Sequence, residues 1–387
     1  MRIIFLMGFG CFLMACSTAD QVVAPLDSLL THTVSIPDPP TVPEGQTDPG
    51  LAQAARFLAG LNQNESSPLL EFELDTSWQD FHRAMNYSWG RMKKERLGPM
   101  EHWRDTVLSE QLRDSLTLFY PFSGPDFLHG QVFYPFASRY IMIGLEPVME
   151  LPPIQDLSHD DRNMLLDTLA SSLRDIFGKS YFITTHMLKD FKKSKGILPV
   201  LFFFLERNGN EAEALEYFSL DTLGRESVVD FAGYQLASDK GIRLTFRNLS
   251  TGRQGEIFYF SADISDSGFK KKPGLYRFLQ VQAPYNTFIK SASYLMHHNT
   301  FSTIRSLIVQ NSETIFQDDT GVPYRYLRQD FNGKFYGEYV RPVADFKWLD
   351  KQLDLDSAFV AQKQPLPFSL GYHWNSRQQH YMLFLRK

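Results

Sequence analysis

The sequence predicts an α+β fold with N-terminal helices, a mixed or antiparallel central sheet with helices packed on it, and short C-terminal strands. Apolar residues at helical spacing and residues in strand alternation fall in separate blocks along the 387-residue chain, not in strict alternation of one with the other. No repeat of solenoid period is superimposed on those blocks. A hydrophobic content of 43% suits a globular body and excludes wholesale disorder. The formal charge of −5 argues against nucleic acid as a partner, because neutralising phosphates takes a net basic face.

Residues 1–15 read as an export signal. Arg2 is a minimal basic start, and the apolar or small run Ile3 to Ala15 is too short to cross about 30 Å of hydrocarbon as a stable helix. The run ends Leu13-Met14-Ala15-Cys16, which resembles the bacterial lipobox. That resemblance implies cleavage before Cys16, lipidation of its thiol and attachment to a membrane by the lipid anchor, as two acyl chains suffice for stable anchoring. The competing reading is an ordinary cleaved signal with an incidental cysteine. Cys11 leaves with the signal, so the mature chain has no pair for an intramolecular disulfide. Ser17 stands where Asp would, by analogy, favour the inner membrane, so the expected location is the cell envelope, anchored in the outer membrane. Residues 16–50 form a tether, dense in proline from Ile36 to Gly45, which favours an extended spacer.

The body occupies residues 51–387, with a possible subdivision near 195–235. Leu51 to Leu61 predicts a short helix. Trp78, Phe81, Met85, Trp89 and Met92 predict a second, with Thr76 and Gln79 spaced as a capping box. A third helical stretch runs from about Pro99 to Leu112, and Leu116 to Tyr120 and Tyr140 to Leu145 read as buried strands. Ser158 and Asp161 cap a helix marked by Leu165, Leu169, Leu173, Ile176 and Phe177. The apolar run Ile197 to Leu205 suits a strand covered on both faces, with a turn at Asn208-Gly209. Ile242, Leu244 and Phe246 alternate with polar residues, and Glu256 to Ala262 supplies the antiparallel partner. Phe288 to Met296 and Phe301 to Ile308 predict helices. Beyond Glu313 come short strands, Thr314 to Gln317 and Tyr324 to Leu327 among them, and one helix near Lys351 to Val360.

The densest segment for chemistry is Tyr120-Pro121-Phe122-Ser123-Gly124-Pro125-Asp126-Phe127, followed by Gly144-Leu145-Glu146-Pro147. It predicts a strand, a tight turn, a short helix, a second strand and a second turn. Asp126, His129 and Glu146 would then stand at strand ends as two carboxylates and an imidazole, a plausible acid–base set. A structural reading is also open, with Ser123 and Asp126 as a helix cap and Glu146 satisfying loop amides. These strings, with Lys290 to His297 and Gln317 to Tyr326, resemble a family of uncharacterised bacterial exported proteins over most of the body. That resemblance carries no assigned activity.

Asp318 and Asp319 open a further possibility, as Asp319-Thr320-Gly321 matches the aspartic-protease triplet. The flanking residues do not, and no second Asp-Thr-Gly occurs, so a polar turn accounts for them. The ten histidines form no His-Glu-x-x-His or His-x-His, and neither a metal nor a cofactor is expected. No Gly-x-Ser-x-Gly elbow, phosphate loop or dinucleotide fingerprint is present. The lysine clusters at 189–195 and 270–272 read as solvated surface, available to anionic head groups. Most of the 33 Phe, 17 Tyr and 5 Trp are expected in the core. The sequence therefore points to a lipid-anchored envelope protein of unknown activity, a binding or envelope-associated module with a binding surface near Asp126, His129 and Glu146 for a ligand or protein partner that the sequence does not identify. The alternative is an envelope hydrolase using those carboxylates with Asp318 and Asp319.

Overall fold

Among the described residues ten strands make one sheet in the order β4-β3-β5-β6-β2-β1-β7-β8-β10-β9. They are β1 (Thr117–Tyr120), β2 (Arg139–Gly144), β3 (Asn210–Leu220), β4 (Glu226–Val229), β5 (Lys240–Asn248), β6 (Gln254–Ser261), β7 (Tyr285–Ile289), β8 (Ser312–Gln317), β9 (Phe331–Gly337) and β10 (His380–Arg386). The computed structural model describes residues 48–108, 117–182, 196–346, 348–374 and 378–387. The signal, Cys16, the tether up to residue 47 and the lysine cluster at 189–195 lie outside the described residues.

The five central strands, β6-β2-β1-β7-β8, pair in parallel. Both flanks are antiparallel. The connections decide this. β5 and β6 are joined by a tight loop in which Gly252 takes φ +70°, whereas parallel neighbours need a crossover, and each central connection contains a helix. Parallel strands are covered on both faces, and β2 and β7 are accordingly buried along almost their whole length, while edge strand β4 is largely exposed.

Strand alternation sorts the core into two layers. On one face Tyr120, Met142, Tyr259, Phe288 and Phe316 pack against α1 (Pro49–Leu58), α2 (Thr76–Met92), α3 (Gly98–Trp103), α4 (Phe127–Phe133), α5 (His159–Lys179) and α6 (Leu198–Arg207). A short surface helix, α7 (Phe231–Leu236), borders β4. On the other face Phe119, Ile143, Phe260, Ile289 and Ile315 pack against α8 (Asp266–Lys271), α9 (Pro273–Val281), α10 (Ser302–Asn311) and α11 (Leu353–Gln362). Each fully buried Phe contributes roughly 1.5–3 kcal/mol of transfer free energy. The result is the predicted α+β class, a mixed sheet with helices packed on it.

Four local expectations are corrected. Ile197 to Leu205 is not a strand but the start and body of α6, buried throughout. An apolar run of this length fits either element, and Pro199 in the first turn, where its missing N–H costs nothing, fits the helix. Phe288 and Ile289 belong to strand β7, not a helix. The polar Asn286 and Thr287 between apolar neighbours are buried there because Thr314 Oγ1 donates to Asn286 and Thr287 Oγ1 lies 2.7 Å from Ser312 Oγ. Tyr324–Tyr326 forms a 3-10 turn, not a strand. Helix α2 is preceded by Asp75, so Thr76 is its first residue and not its cap. The cap at Ser158 is as predicted, with its Oγ accepting from Asp161 N at 3.1 Å.

Candidate functional site

A pocket of about 880 Å³, counted to its open mouth, lies at the carboxyl ends of β1, β2, β6 and β7. β1 and β7 are neighbours, but the chain leaves β1 for β2 on one side and β7 for β8 on the other. Loops diverging from two adjacent parallel strands leave a crevice, the usual place for a ligand in such sheets. Phe122, Asp126, Glu146, Lys290 and Ser291 line it from the strand ends, with Tyr181 and Tyr372 across from them.

At its wall is a buried ionic cluster. Lys290, directly after β7, places Nζ 2.6 Å from Asp126 Oδ2, 2.6 Å from the Ser180 carbonyl and 3.1 Å from His129 Nδ1. Asp126 caps α4 by accepting from His129 N at 3.2 Å, and its Oδ2 also accepts from the Tyr120 hydroxyl at 2.8 Å. His129 Nδ1 is 2.8 Å from Asp126 Oδ1. An ionised carboxylate only accepts, so the 2.8 Å contact puts the proton on Nδ1, the ammonium at 3.1 Å is then a neighbour of that N–H and not its donor, and Nε2 is a buried atom without a hydrogen-bond partner. Burial alone would raise the Asp126 carboxyl, but the His129 imidazole and the Lys290 ammonium outweigh it and hold the group well below the usual carboxylate range. Burial lowers Lys290 despite Asp126, and it lowers His129 as well.

Glu146 is the second buried carboxyl of the pocket. Its Oε2 accepts from the Tyr259 hydroxyl at 3.2 Å, and burial raises it, favouring the neutral acid. It folds back over Gly144. A Cβ there would sit 2.6 Å from the Tyr259 hydroxyl and 2.8 Å from Gly124 Cα, and would collide with the Glu146 carboxyl itself, so only glycine admits this placement.

Backbone strain is concentrated at the same place. Among the described residues five non-glycine positions have positive φ: Phe122, Ser180, Ser291, Ser293 and Tyr294. Three of them line the pocket, the carbonyl of Ser180 holds Lys290, and Tyr294 belongs to the loop after β7. Each such residue costs roughly 1–2 kcal/mol, and clustered outliers of this kind mark sites where the fold is held for function. Side chains from β8 and beyond hold the loop. Ser291 N donates to Asp318 Oδ2 at 2.9 Å, Ala292 N to Thr320 Oγ1 at 2.8 Å, and Ser293 Oγ lies 2.9 Å from the Tyr372 hydroxyl.

Of the five carboxylate and imidazole residues singled out in the sequence, Asp126 and Glu146 line one pocket, and His129 stands directly behind Asp126. Asp318 and Asp319 are fully buried and do not line it. Asp318 accepts from Ser291 N and from both the amide and the hydroxyl of Thr320, and burial beside Asp319 pushes it up to about 6. It is a loop-amide acceptor, as the polar-turn reading has it. Sequence reasoning missed Lys290, Tyr120, Ser180 and Tyr259. The one available signal was a lysine closing an apolar strand, and it is hidden when that strand is read as a helix.

Comparisons with known protein families, with curated proteins and with solved structures find no match.

Proposed function

We propose that this chain is a lipid-anchored bacterial cell-envelope protein whose body binds a small, uncharged, polar ligand in the pocket at the carboxyl ends of the parallel strands. The observation that carries the reading is the coincidence of that pocket with the buried Asp126, Lys290 and Glu146 and with the strained loops. The charges select the ligand class. Asp126 and Lys290 neutralise one another, burial raises Glu146 toward its neutral form, and the one further carboxylate of the lining, the exposed Asp263, is engaged by Ser265 N and Oγ, so the buried part of the pocket offers little net charge to an ionic ligand. Phe122, Phe301, Tyr181 and Tyr372 give it apolar and aromatic walls, suited to the faces of a saccharide or a similar polyhydroxy compound. The anchor rests on the run ending at Cys16. No helix among the described residues is long and apolar enough to cross a membrane.

Both halves have direct tests. Growth with a clickable fatty acid should label the full-length protein and leave Cys16→Ala unlabelled; persistence of the label on the variant sinks the anchor. For the pocket, neutral saccharides should raise the melting temperature of the detergent-solubilised full chain. A ligand at 100 times its Kd adds about 2.7 kcal/mol. Leu145, more than half exposed at the rim, is the place to block entry, and Leu145→Trp should abolish the shift without lowering the ligand-free melting temperature. Stabilisation by charged ligands only, or an undiminished shift in the variant, overturns the assignment.

One observation favours a second reading, hydrolysis. A carboxyl raised by burial against aromatic walls is how a general acid is prepared, and burial raises Glu146 beside the Tyr259 hydroxyl. Under this reading Glu146→Gln keeps ligand binding and loses turnover. Asp318 and Asp319, bonded elsewhere, take no part in it.

A further inference from the structure

Next to Tyr372 of the pocket lining, three side chains from separate segments meet. Asp319 follows β8, His373 lies in the 3-10 turn Gly371–His373, and His380 begins β10. His380 Nε2 is 3.1 Å from Asp319 Oδ1, and His373 Nε2 is 3.9 Å from the same oxygen. One ligand atom from each residue lies within 4.8 Å of the other two. All three atoms are buried and have no hydrogen-bond partner, so the 3.1 Å approach is close without the alignment of a hydrogen bond. The side chains of Asp319 and His380 are inaccessible to solvent, and that of His373 is 11% exposed. Asp319 and His380 pair as carboxylate and imidazolium when the ring is protonated, which leaves His373 Nε2 as the buried atom with no close partner, and leaving such a group unsatisfied costs about 1–3 kcal/mol unless something binds it.

We infer that Asp319, His373 and His380 form a binding site for one divalent transition-metal ion of the zinc class. The donor set, two imidazole nitrogens and one carboxylate oxygen, suits Zn²⁺ and its first-row neighbours and is poorly suited to Mg²⁺ or Ca²⁺, which take oxygen ligands. Ligand bonds of about 2.0–2.1 Å in tetrahedral geometry separate donor atoms by roughly 3.3 Å, between the two measured separations from Asp319 Oδ1, and with all three donors within 4.8 Å of one another no pair need close by more than about 1.5 Å.

The outer partners orient the donors as metal ligands require. His380 Nδ1 lies 2.8 Å from the Gln378 carbonyl and must donate to it, so in the neutral ring, the form that binds a metal, the Nε2 lone pair faces the site. Asp319 Oδ2 accepts from the Tyr294 hydroxyl at 2.9 Å, and that hydroxyl accepts from Val343 N at 2.9 Å, so Oδ1 is the free oxygen. The His297 ring nitrogen Nε2 is 3.1 Å from the Asp319 carbonyl and fixes the backbone of the loop. The strained φ of Tyr294 thus has a physical use, aiming its hydroxyl at the ligand carboxylate. An ion here would tie the exit of β8 to the entry of β10 and to the turn that carries Tyr372, and so brace one wall of the pocket.

The test uses the full chain in detergent, stripped with chelator and titrated with Zn²⁺, Co²⁺ or Mg²⁺. About one equivalent of Zn²⁺ should bind, and the Co²⁺ form should show the intense visible bands of a four-coordinate site with nitrogen and oxygen donors. His373→Gln and Asp319→Asn should weaken Zn²⁺ beyond the roughly 10–100-fold that loss of an outer partner costs. His373→Gln, changed at the most exposed of the three, should melt close to the stripped wild type. Absence of Zn²⁺ and Co²⁺ binding to the wild type overturns the site, as does undiminished binding in both variants or equal binding of Mg²⁺. The Co²⁺ spectrum of the wild type decides the matter even if a variant fails to fold.

Discussion

Lys290→Met should lower the unfolding free energy by about 3–5 kcal/mol at neutral pH, because it leaves a buried carboxylate without its ammonium partner. Asp126 would keep the Tyr120 hydroxyl and His129 as donors, but its Oδ2 would lose the ammonium at 2.6 Å. The pH dependence has a definite sign. The folded value of Asp126 is depressed, so its contribution is fully present above the unfolded value near 3.9 and is lost as pH falls through the lower folded value. In Lys290→Met the carboxyl protonates more readily, so the gap between wild type and variant should be largest near pH 7 and should narrow toward pH 4. Denaturant titrations at the two pH values read this directly. A double-mutant cycle isolates the pair: Asp126→Asn should be destabilising alone and stabilising in the Lys290→Met background, since it removes the stranded charge and keeps an acceptor for His129 N. Strict additivity would show that the cluster is not energetically coupled.

The part of this cluster on the segment from Tyr120 to Glu146 was legible in the sequence, because each element there is set by neighbours a few residues away. Gly124-Pro125 makes the turn, Asp126 caps the helix it precedes, and Gly144 lets the next turn close. Lys290 was not legible. A short strand with Asn286 and Thr287 at its centre has no clear alternation, and only the pairing of those residues with Thr314 and Ser312 makes their burial acceptable. The same limit explains α6, where eight apolar residues fit a central strand and a buried helix equally well. The block arrangement sufficed for the α+β class, yet the order of ten strands, and with it the crevice between β1 and β7, depends on pairings between residues more than a hundred positions apart. Asp319, His373 and His380 are the extreme case. They fit no spacing motif, and only the pairing of β8 with β10 brings them together.

Trp103→Ala should cost about 3–5 kcal/mol, the range for emptying a large aromatic site in a packed core. The indole sits among four rings drawn from different elements. It stacks on Phe316 of β8 at 5.7 Å between centroids and meets the edges of Tyr336 of β9 at 4.9 Å, Phe368 at 5.2 Å and Phe133 of α4 at 6.5 Å. Offset and edge-on pairs of this kind add about 0.5–1.5 kcal/mol beyond area burial. No cysteine occurs among the described residues, so no disulfide cross-links them, and docking of the N-terminal helices on the sheet depends on contacts such as these. Trp103→Phe keeps one ring in the site and should lose less than half as much. Denaturation midpoints at constant m-value give both numbers, and a loss under about 1 kcal/mol for the alanine variant would mean that the site collapses without a cavity. The loss should also reach the pocket. Phe133 lies on the helix that Asp126 caps and that carries His129, so loosening its packing should speed amide exchange in 127–133 more than in the distant antiparallel strands β3 and β5.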